Sequence, residues 1–434
     1  MNRNMMENTE KLKQNLIRWR RDFHRYPELG WMELRTSSLI ARELRTMGYE
    51  VLCGVEVCGS AERMGVPPEE VLEAHYQWAE QNGADPEYLE KTRGGFTGVI
   101  GILRCGDGPV LAMRFDIDAL GVSEQKEGHF PEQEGFRSCA DGVMHACGHD
   151  GHTAIGLGTA ELLSQMKNQL HGTVKLIFQP AEEGVRGAAA ITESGHLDDA
   201  DYVLGSHIVA SPDGECRICP GLAGTFATTK LDAVFYGTAA HAGIAPQDGC
   251  NALLAAASAV LNLHAAPRHQ DGASRINVGT LRAGTARNVV CDRAEMEIEV
   301  RGETTRINEY MERYAVSVLE GAAKMHGCRV EVATAGKAAA LECSPGLTQR
   351  LRTLCRETLH LNTGEPGSLG GSEDFAYMAK RVTDRGGEAC FAGISVPCRG
   401  ALHRPEFDFD ERALLIGAQY YAGVAKELLG WEKQ

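Results

Sequence analysis

No stretch of the 434-residue chain is apolar for long enough to span a bilayer, and the opening MNRNMMENTEKLKQNLIRWRR lacks the apolar run of a secretion signal. A membrane-inserted or exported protein is therefore not expected. Positive charge is also scarce. Lys and Arg number 44 against 59 Asp and Glu, a net charge of −15, which argues against nucleic acid or an anionic membrane as the main partner. Paired cysteine motifs are nearly missing too. The 14 cysteines lie mostly as singletons, and the one C-x-x-C, Cys216 to Cys219, has neither a second pair nor a His pair beside it. They read as reduced thiols of a cytoplasmic protein, as core or surface residues and not as a disulfide framework. What remains is ordinary globular composition, 43% apolar and 24% charged, in a chain longer than one hydrophobic core usually serves. Two domains are the expectation.

Leu12, Leu16, Trp19 and Phe23 recur at steps of four, three and four, which predicts an amphipathic helix. A second helix is expected from about Glu33 to Met47, stopped by Gly48. Residues 55–93 break the pattern. PPEEVLEAHYQWAEQNG opens on two prolines and stays polar on most faces, as a helical insertion between two strands would. GVIGILRCG, PVLAMRFDID, TVKLIFQPAE and ADYVLGSHI read as strands, with GHTAIGLGTAELLSQM as a helix among them. That alternation predicts an α/β layer built on a mainly parallel sheet. From about Gly224 to Gly336 the order becomes β-α-β-β-α-β, the split pattern of ferredoxin-like domains. The architecture expected is one α/β domain made of residues 1–223 and 337–434, with a compact second domain, 224–336, inserted into it.

Five segments concentrate the residue types that bind metals, four of them at predicted strand ends or in the loops after them. Asp116-Ile117-Asp118 places two carboxylates at i and i+2, on one side of a strand end, where they either cap the turn or serve a ligand. MHACGHDGH packs His145, Cys147, His149, Asp150 and His152 into nine residues, a density that packing alone explains poorly. QPAEEG sets Glu182 and Glu183 side by side, so that one carboxylate can bind metal while its neighbour faces a substrate water. His207, in GSHI, and His403, in ALHRPEF, would each pass singly for an ordinary histidine. Together these donors suit a pair of borderline divalent ions. Two such ions roughly 3.5–4 Å apart polarise a carbonyl and acidify a water, and a second carboxylate can then carry the proton.

HACGHDGH, QPAEEG, GTAAHAG with the following P-x-x-G-x-N-A-L, and GSEDF occur in that order, and the chain so resembles the M20 family of metallopeptidases over nearly its whole length. It is similar in particular to the amidohydrolase branch. Residue by residue, the resemblance implies that Cys147, His149, Glu183, His207 and His403 bind two divalent metal ions, Mn2+ or Zn2+. It implies Glu182 as general base and acid, with Asp118 behind a ligand imidazole as its orienting carboxylate. The inserted domain is then a dimerisation domain whose His241 enters the partner subunit's site and stabilises the oxyanion, and Asn288 of RNVV binds the substrate's carboxylate end. Lys230, Arg275, Arg287 and Arg301 are cations in or beside that domain's motifs, suited to a second carboxylate. Gly121 and Cys291 depart from the family pattern, standing where many relatives have proline, which bears on backbone stiffness and not on ligands.

The reaction implied is hydrolysis of an N-acyl amino acid, p-aminobenzoyl-glutamate ahead of a broader aminoacylase or dipeptidase range. The assembly implied is a homodimer, or a heterodimer with a related subunit. The alternative from another class is a non-catalytic subunit of a hetero-oligomeric hydrolase, and the intact Glu182 weighs against it.

Overall fold

The computed structural model describes residues 3–430 apart from 60, 223, 366 and 368. In chain order its longer strands are β1 (Glu50–Cys53), β2 (Val99–Arg104), β3 (Val110–Asp116), β4 (Thr173–Gln179), β5 (Tyr202–Ala210), β6 (Arg217–Pro220), β7 (Ala227–Tyr236), β8 (Ser274–Ala283), β9 (Arg293–Gly302), β10 (Arg329–Ala338) and β11 (Glu388–Val396). The chain divides into two compact units.

The first unit comprises residues 1–223, 342–369 and 374–434. Its seven-stranded sheet runs β1-β2-β4-β3-β5-β11-β6. The four interior strands, β4, β3, β5 and β11, pair in parallel, whereas β1, β2 and β6 pair antiparallel at the margins. The interior strands are buried almost without a break, as parallel strands covered on both faces must be. Because they run the same way, the ends of β3 and β4 and the start of the helix His149–Gln165 meet along one edge of the sheet, where α/β folds bind ligands. Leu12, Leu16, Trp19 and Phe23 all point into the core from the helix Arg3–Arg25. Residues 55–93 carry the helix Glu69–Gln81 and three shorter helical turns between β1 and β2.

The helix His149–Gln165 is buried nearly all round, and its glycines set how close it comes to the sheet. A Cβ at Gly156 would lie 2.6 Å from Cε1 of Phe178 and 2.9 Å from Cδ2 of Phe115, so only glycine lets this turn sit on those rings.

The second unit, residues 224–341 with 370–373, has a four-stranded antiparallel sheet in the order β10-β7-β9-β8. The helices Ala252–His264 and Thr305–Met325 complete the β-α-β-β-α-β order. Alternate residues Leu231, Ala233 and Phe235 of β7 and Ala294, Met296, Ile298 and Val300 of β9 pack against Ala255, Ala259, Met311 and Leu319 of the helices. Both helices open on side-chain caps: Asn251 accepts from the N–H groups of Leu253 and Leu254, and Thr304 accepts from that of Ile307. Among the described residues no helix is long and apolar enough to cross a membrane.

Candidate metal centre

Four separate pieces of the first unit present the candidate donors. Gly148, at φ +91°, breaks the chain sharply before the helix His149–Gln165, so Cys147 lies in the loop and His149 in the first turn. Glu182 and Glu183 follow β4 in a turn where Ala181 also has positive φ, +51°. His207 lies inside β5 and not at its end, because pairing with β11 carries that strand on to Ala210. His403 sits at φ +64° in the loop before Phe407, its backbone N–H bound to the carbonyl of Ala146.

These donor atoms meet. One ligand atom each from Cys147, His149 and His207 lies within 4.8 Å of the others, and the same holds for Cys147, Glu183 and His403 and for His149, Glu182 and Glu183. Cys147 Sγ is 3.4 Å from His207 Nε2, and His403 Nε2 is 3.5 Å from Glu183 Oε1.

The hydrogen bonds decide which ring nitrogens are free. His149 Nδ1 donates to the carbonyl of Asp118 at 2.9 Å, with the Asp118 carboxylate 3.3 Å away, which leaves Nε2 bare. His207 Nδ1 donates to the carbonyl of Ile208 at 2.6 Å, leaving Nε2 toward Cys147. His152, in the same dense motif, is used up. Its Nδ1 donates to Asp116 Oδ1 at 2.5 Å and its Nε2 accepts from the Ile208 N–H at 2.9 Å. So the three imidazoles of HACGHDGH resolve into His149 with a free lone pair, His152 braced into the core, and His145 buried with neither ring nitrogen hydrogen-bonded.

Carboxylates brace the loops from behind. Asp118 Oδ1 and Oδ2 accept from the N–H groups of Glu182 and Glu183 at 3.1 and 2.9 Å. Arg114, fully buried at the end of β3, bonds Asp116 at 2.7 Å and Asp374 at 3.1 Å, and Asp374 in turn accepts from the N–H groups of Gly187 and Ala188. Sequence reasoning assigned no role to Asp374, although it lies in GSEDF. It also passed over His24, Glu124 and Glu33, all buried. For His24 and Glu33 the dense ionisable run RRDFHRYPELGWMEL that holds them was the available signal.

The remaining expected residues lie in the second unit. His241 is exposed and pairs through its backbone with Val289, while the N–H of Ala242 donates to the carbonyl of Asn288, so His241 and Asn288 share one junction. Arg287 is exposed beside them. Arg275 and Arg301 are direct cross-strand partners on β8 and β9, and Lys230 on β7 faces Glu299. Arg301 pairs with Glu299 at 3.0 Å, so its charge is already matched, and Arg275 bonds the carbonyl of Ser274.

The family model described as Peptidase family M20/M25/M40 matches residues 112–427. The chain belongs to that family. It is a metallo-amidohydrolase of the M20 group. It is 45% identical to one of the subunits of p-aminobenzoyl-glutamate hydrolase from Escherichia coli (strain K12), covering 95% of this chain and 96% of the other. It is 44% identical to the indole-3-acetyl-aspartic acid hydrolase of Enterobacter agglomerans, covering 96% and 97%. The crystal structure of an aminobenzoyl-glutamate utilization protein from Klebsiella pneumoniae superposes with a TM-score of 0.84 at 39% identity, over 97% of each chain. A dinuclear metal-binding peptidase of the M20 family from Bacillus subtilis gives 0.67 at 28%, over 97% and 99%.

The residues present fit metal ions. His149 Nε2 and Glu183 Oε1 are buried polar atoms with no hydrogen-bond partner, a costly state unless a cation takes their lone pairs. Burial, with the Glu183 charge adding, holds the Cys147 thiol well above its usual range, and burial pushes Glu183 up to about 7. A divalent cation removes both penalties by favouring thiolate and carboxylate.

Proposed function

We propose that the chain hydrolyses the amide joining an aromatic acyl group to an acidic amino acid, p-aminobenzoyl-glutamate first among such substrates. The observation that carries this reading is the meeting of Cys147, His149, Glu183, His207 and His403 in overlapping clusters, one of which brings Glu182 beside His149 and Glu183. The substrate class rests on the two relatives matched almost equally, at 45% and 44% identity, whose names give a glutamate and an aspartate conjugate of an aromatic acid. The shared chemistry is an aryl acyl group on a dicarboxylic amino acid.

In this scheme Cys147, His149, Glu183, His207 and His403 hold two divalent ions, which supply Lewis acidity for the amide carbonyl and the attacking water. The thiol of Cys147 favours zinc by softness, and the carboxylates also admit manganese. Glu182 accepts the proton of the attacking water and returns it to the leaving nitrogen as the C–N bond breaks, giving a carboxylic acid and a free amino acid. Asp118 holds the His149 ring through Nδ1, so that Nε2 would be left to bind a metal ion. His241 donates to the developing oxyanion across the dimer, in the site of the partner. The α-carboxylate falls to Asn288, and the basic residues Lys230, Arg275, Arg287 and Arg301 are the candidates for the side-chain carboxylate. Arg275 and Arg287 are the stronger of these, since Arg301 already has Glu299.

The partner is a related second subunit or a second copy, and the compartment is the cytoplasm. The name of the Escherichia coli relative, which is that of a subunit, supports hetero-assembly. A hydrolysis panel with the purified chain, zinc or manganese added, tests the whole reading. Acyl-glutamate and acyl-aspartate should be cleaved far faster than the matching glutamine and methionine conjugates. Equal rates would make the enzyme a broad aminoacylase. No turnover by the chain alone, with turnover once a second subunit is supplied and no loss of it when this chain carries Glu182→Gln, would favour the non-catalytic reading.

A further inference from the structure

Glu33 is a charged residue type at 0% exposure, just before the helix Leu34–Thr46, in a segment given no part in the chemistry so far. Its two oxygens reach in two directions. Oε1 accepts from the backbone N–H of Ala181 at 2.8 Å, and Oε2 accepts from the hydroxyl of Thr97 at 2.7 Å. Ala181 is the residue before Glu182 and has φ +51°, in the left-handed region that residues with a side chain rarely adopt. Such a conformation persists only where its neighbours over-determine it.

The neighbours are two carboxylates. Glu33 takes the N–H of Ala181, and Asp118 takes the next two, those of Glu182 and Glu183. Three successive backbone donors are thereby bound from two separate pieces of chain, and the turn cannot relax without breaking one of them. Asp118 also faces His149, whereas the Glu33 carboxyl bonds the turn and Thr97. Thr97 ties the arrangement to the return from the insertion, since its carbonyl accepts from Ser37 Oγ.

We propose that Glu33 is a positioning residue for hydrolysis: by clamping the Ala181 N–H it holds the left-handed turn that aims Glu182 at the reacting water. This rests on the role given above to Glu182. Burial, with the charge of Asp118 adding, pushes the Glu33 carboxyl up to about 8, so the neutral amide of glutamine is its fair isostere.

The test compares Glu33→Gln with Glu33→Asp in the full chain. Glutamine keeps an acceptor for Ala181 and can bond Thr97 through its amide group, whereas aspartate is shorter by a methylene and cannot span both partners. With p-aminobenzoyl-glutamate as substrate, Glu33→Gln should keep kcat within a few-fold of native. Glu33→Asp should lose roughly 100-fold in kcat, the usual cost of a displacement on the order of 1 Å, with KM and metal per chain nearly unchanged. Amide hydrogen exchange over residues 180–187 should quicken in Glu33→Asp and stay native in Glu33→Gln. The proposal is overturned if Glu33→Asp keeps native kcat and exchange, if both variants are equally impaired, or if the loss tracks metal loss or global unfolding. Should the native chain cleave no acyl amino acid, the reading of Glu182 and Glu183 fails by itself, and the exchange comparison still decides whether Glu33 clamps the turn.

Discussion

Glu182 and Glu183 are adjacent in sequence, yet their surroundings part them. Glu183 Oε1 lies opposite His403 Nε2 and within reach of Cys147, whereas Glu182 groups with His149 alone among the imidazoles near it. On the proposed roles, Glu182→Gln should cut turnover by roughly 10²–10⁴-fold while the metal content of the purified chain stays at the native level, because an amide cannot take the water's proton. Glu183→Gln should lower both together. Elemental analysis beside kcat reads the difference, and metal loss in Glu182→Gln with none in Glu183→Gln would mean the two assignments are reversed.

At the scale of single elements, the helix His149–Gln165 joins the site to the core. Its first turn presents His149, and two turns later it rests on Phe178 of β4 and Phe115 of β3 through Gly156. The backbone on which Glu182 is carried is thus packed against the helix that carries His149. Gly156→Ala forces a methyl group into the two rings, an overpacking that costs about 1–3 kcal/mol even though alanine is the better helix former. A lowered midpoint of chemical unfolding is the expected outcome. An unchanged or raised midpoint would show that the rings have room to move. The helix itself was readable from GHTAIGLGTAELLSQM. The need for glycine at 156 was not, because the atoms that exclude a side chain belong to strands far away in the chain.

At the scale of the whole molecule, a buried ionic network gathers segments from both ends of the sequence. His24 lies between Asp150 and Glu124, at 2.9 Å from each. Arg20, one helical turn earlier, binds Asp150, Asp408 and Glu411. Burial opposes charging of His24, and its cation Arg20 adds to that, but the bonds to Asp150 and Glu124 prevail and raise it from 6.5 to about 9. For Glu124 burial acts upward, and the bonds to His129 and His24 bring it down to about 2. The signs follow from linkage. A histidine raised in the folded state contributes stability that is complete below pH 6.5 and lost as pH rises through about 9. A depressed carboxylate contributes stability that is complete above pH 4.5 and lost as pH falls toward about 2. Between pH 6.5 and 9 the native chain should therefore lose on the order of 3 kcal/mol that His24→Gln, lacking the titration, does not lose. Parallel denaturation curves for the two proteins across that range would discard the assignment. Assembly is tested at the same scale. His241→Ala should lose on the order of 3 kcal/mol of transition-state stabilisation at unchanged metal content. Mixed with Glu182→Gln under subunit exchange it should regain activity, since one site of a mixed dimer then holds both residues. No recovery after verified exchange would confine His241 to its own chain.

The sequence by itself determined the local order and the chemistry available. Periodicities of 3.6 and 2 located the helices and strands, the β-α-β-β-α-β order predicted an inserted domain, and the gathering of Cys, His, Asp and Glu in five short segments pointed to metal-assisted hydrolysis, because each of these signals is carried by the order of residues along the chain. The tertiary structure alone decided which donors are free. His149 and His152 are three residues apart on one helix, and their difference is set by Asp118, Asp116 and Ile208, which arrive from other strands. It also decided that β5 runs past His207, since that strand end depends on the length of β11 beside it. Likewise Glu33 bears on the turn at Ala181 only because folding brings residues 148 positions apart within 2.8 Å, a separation that no local pattern can report.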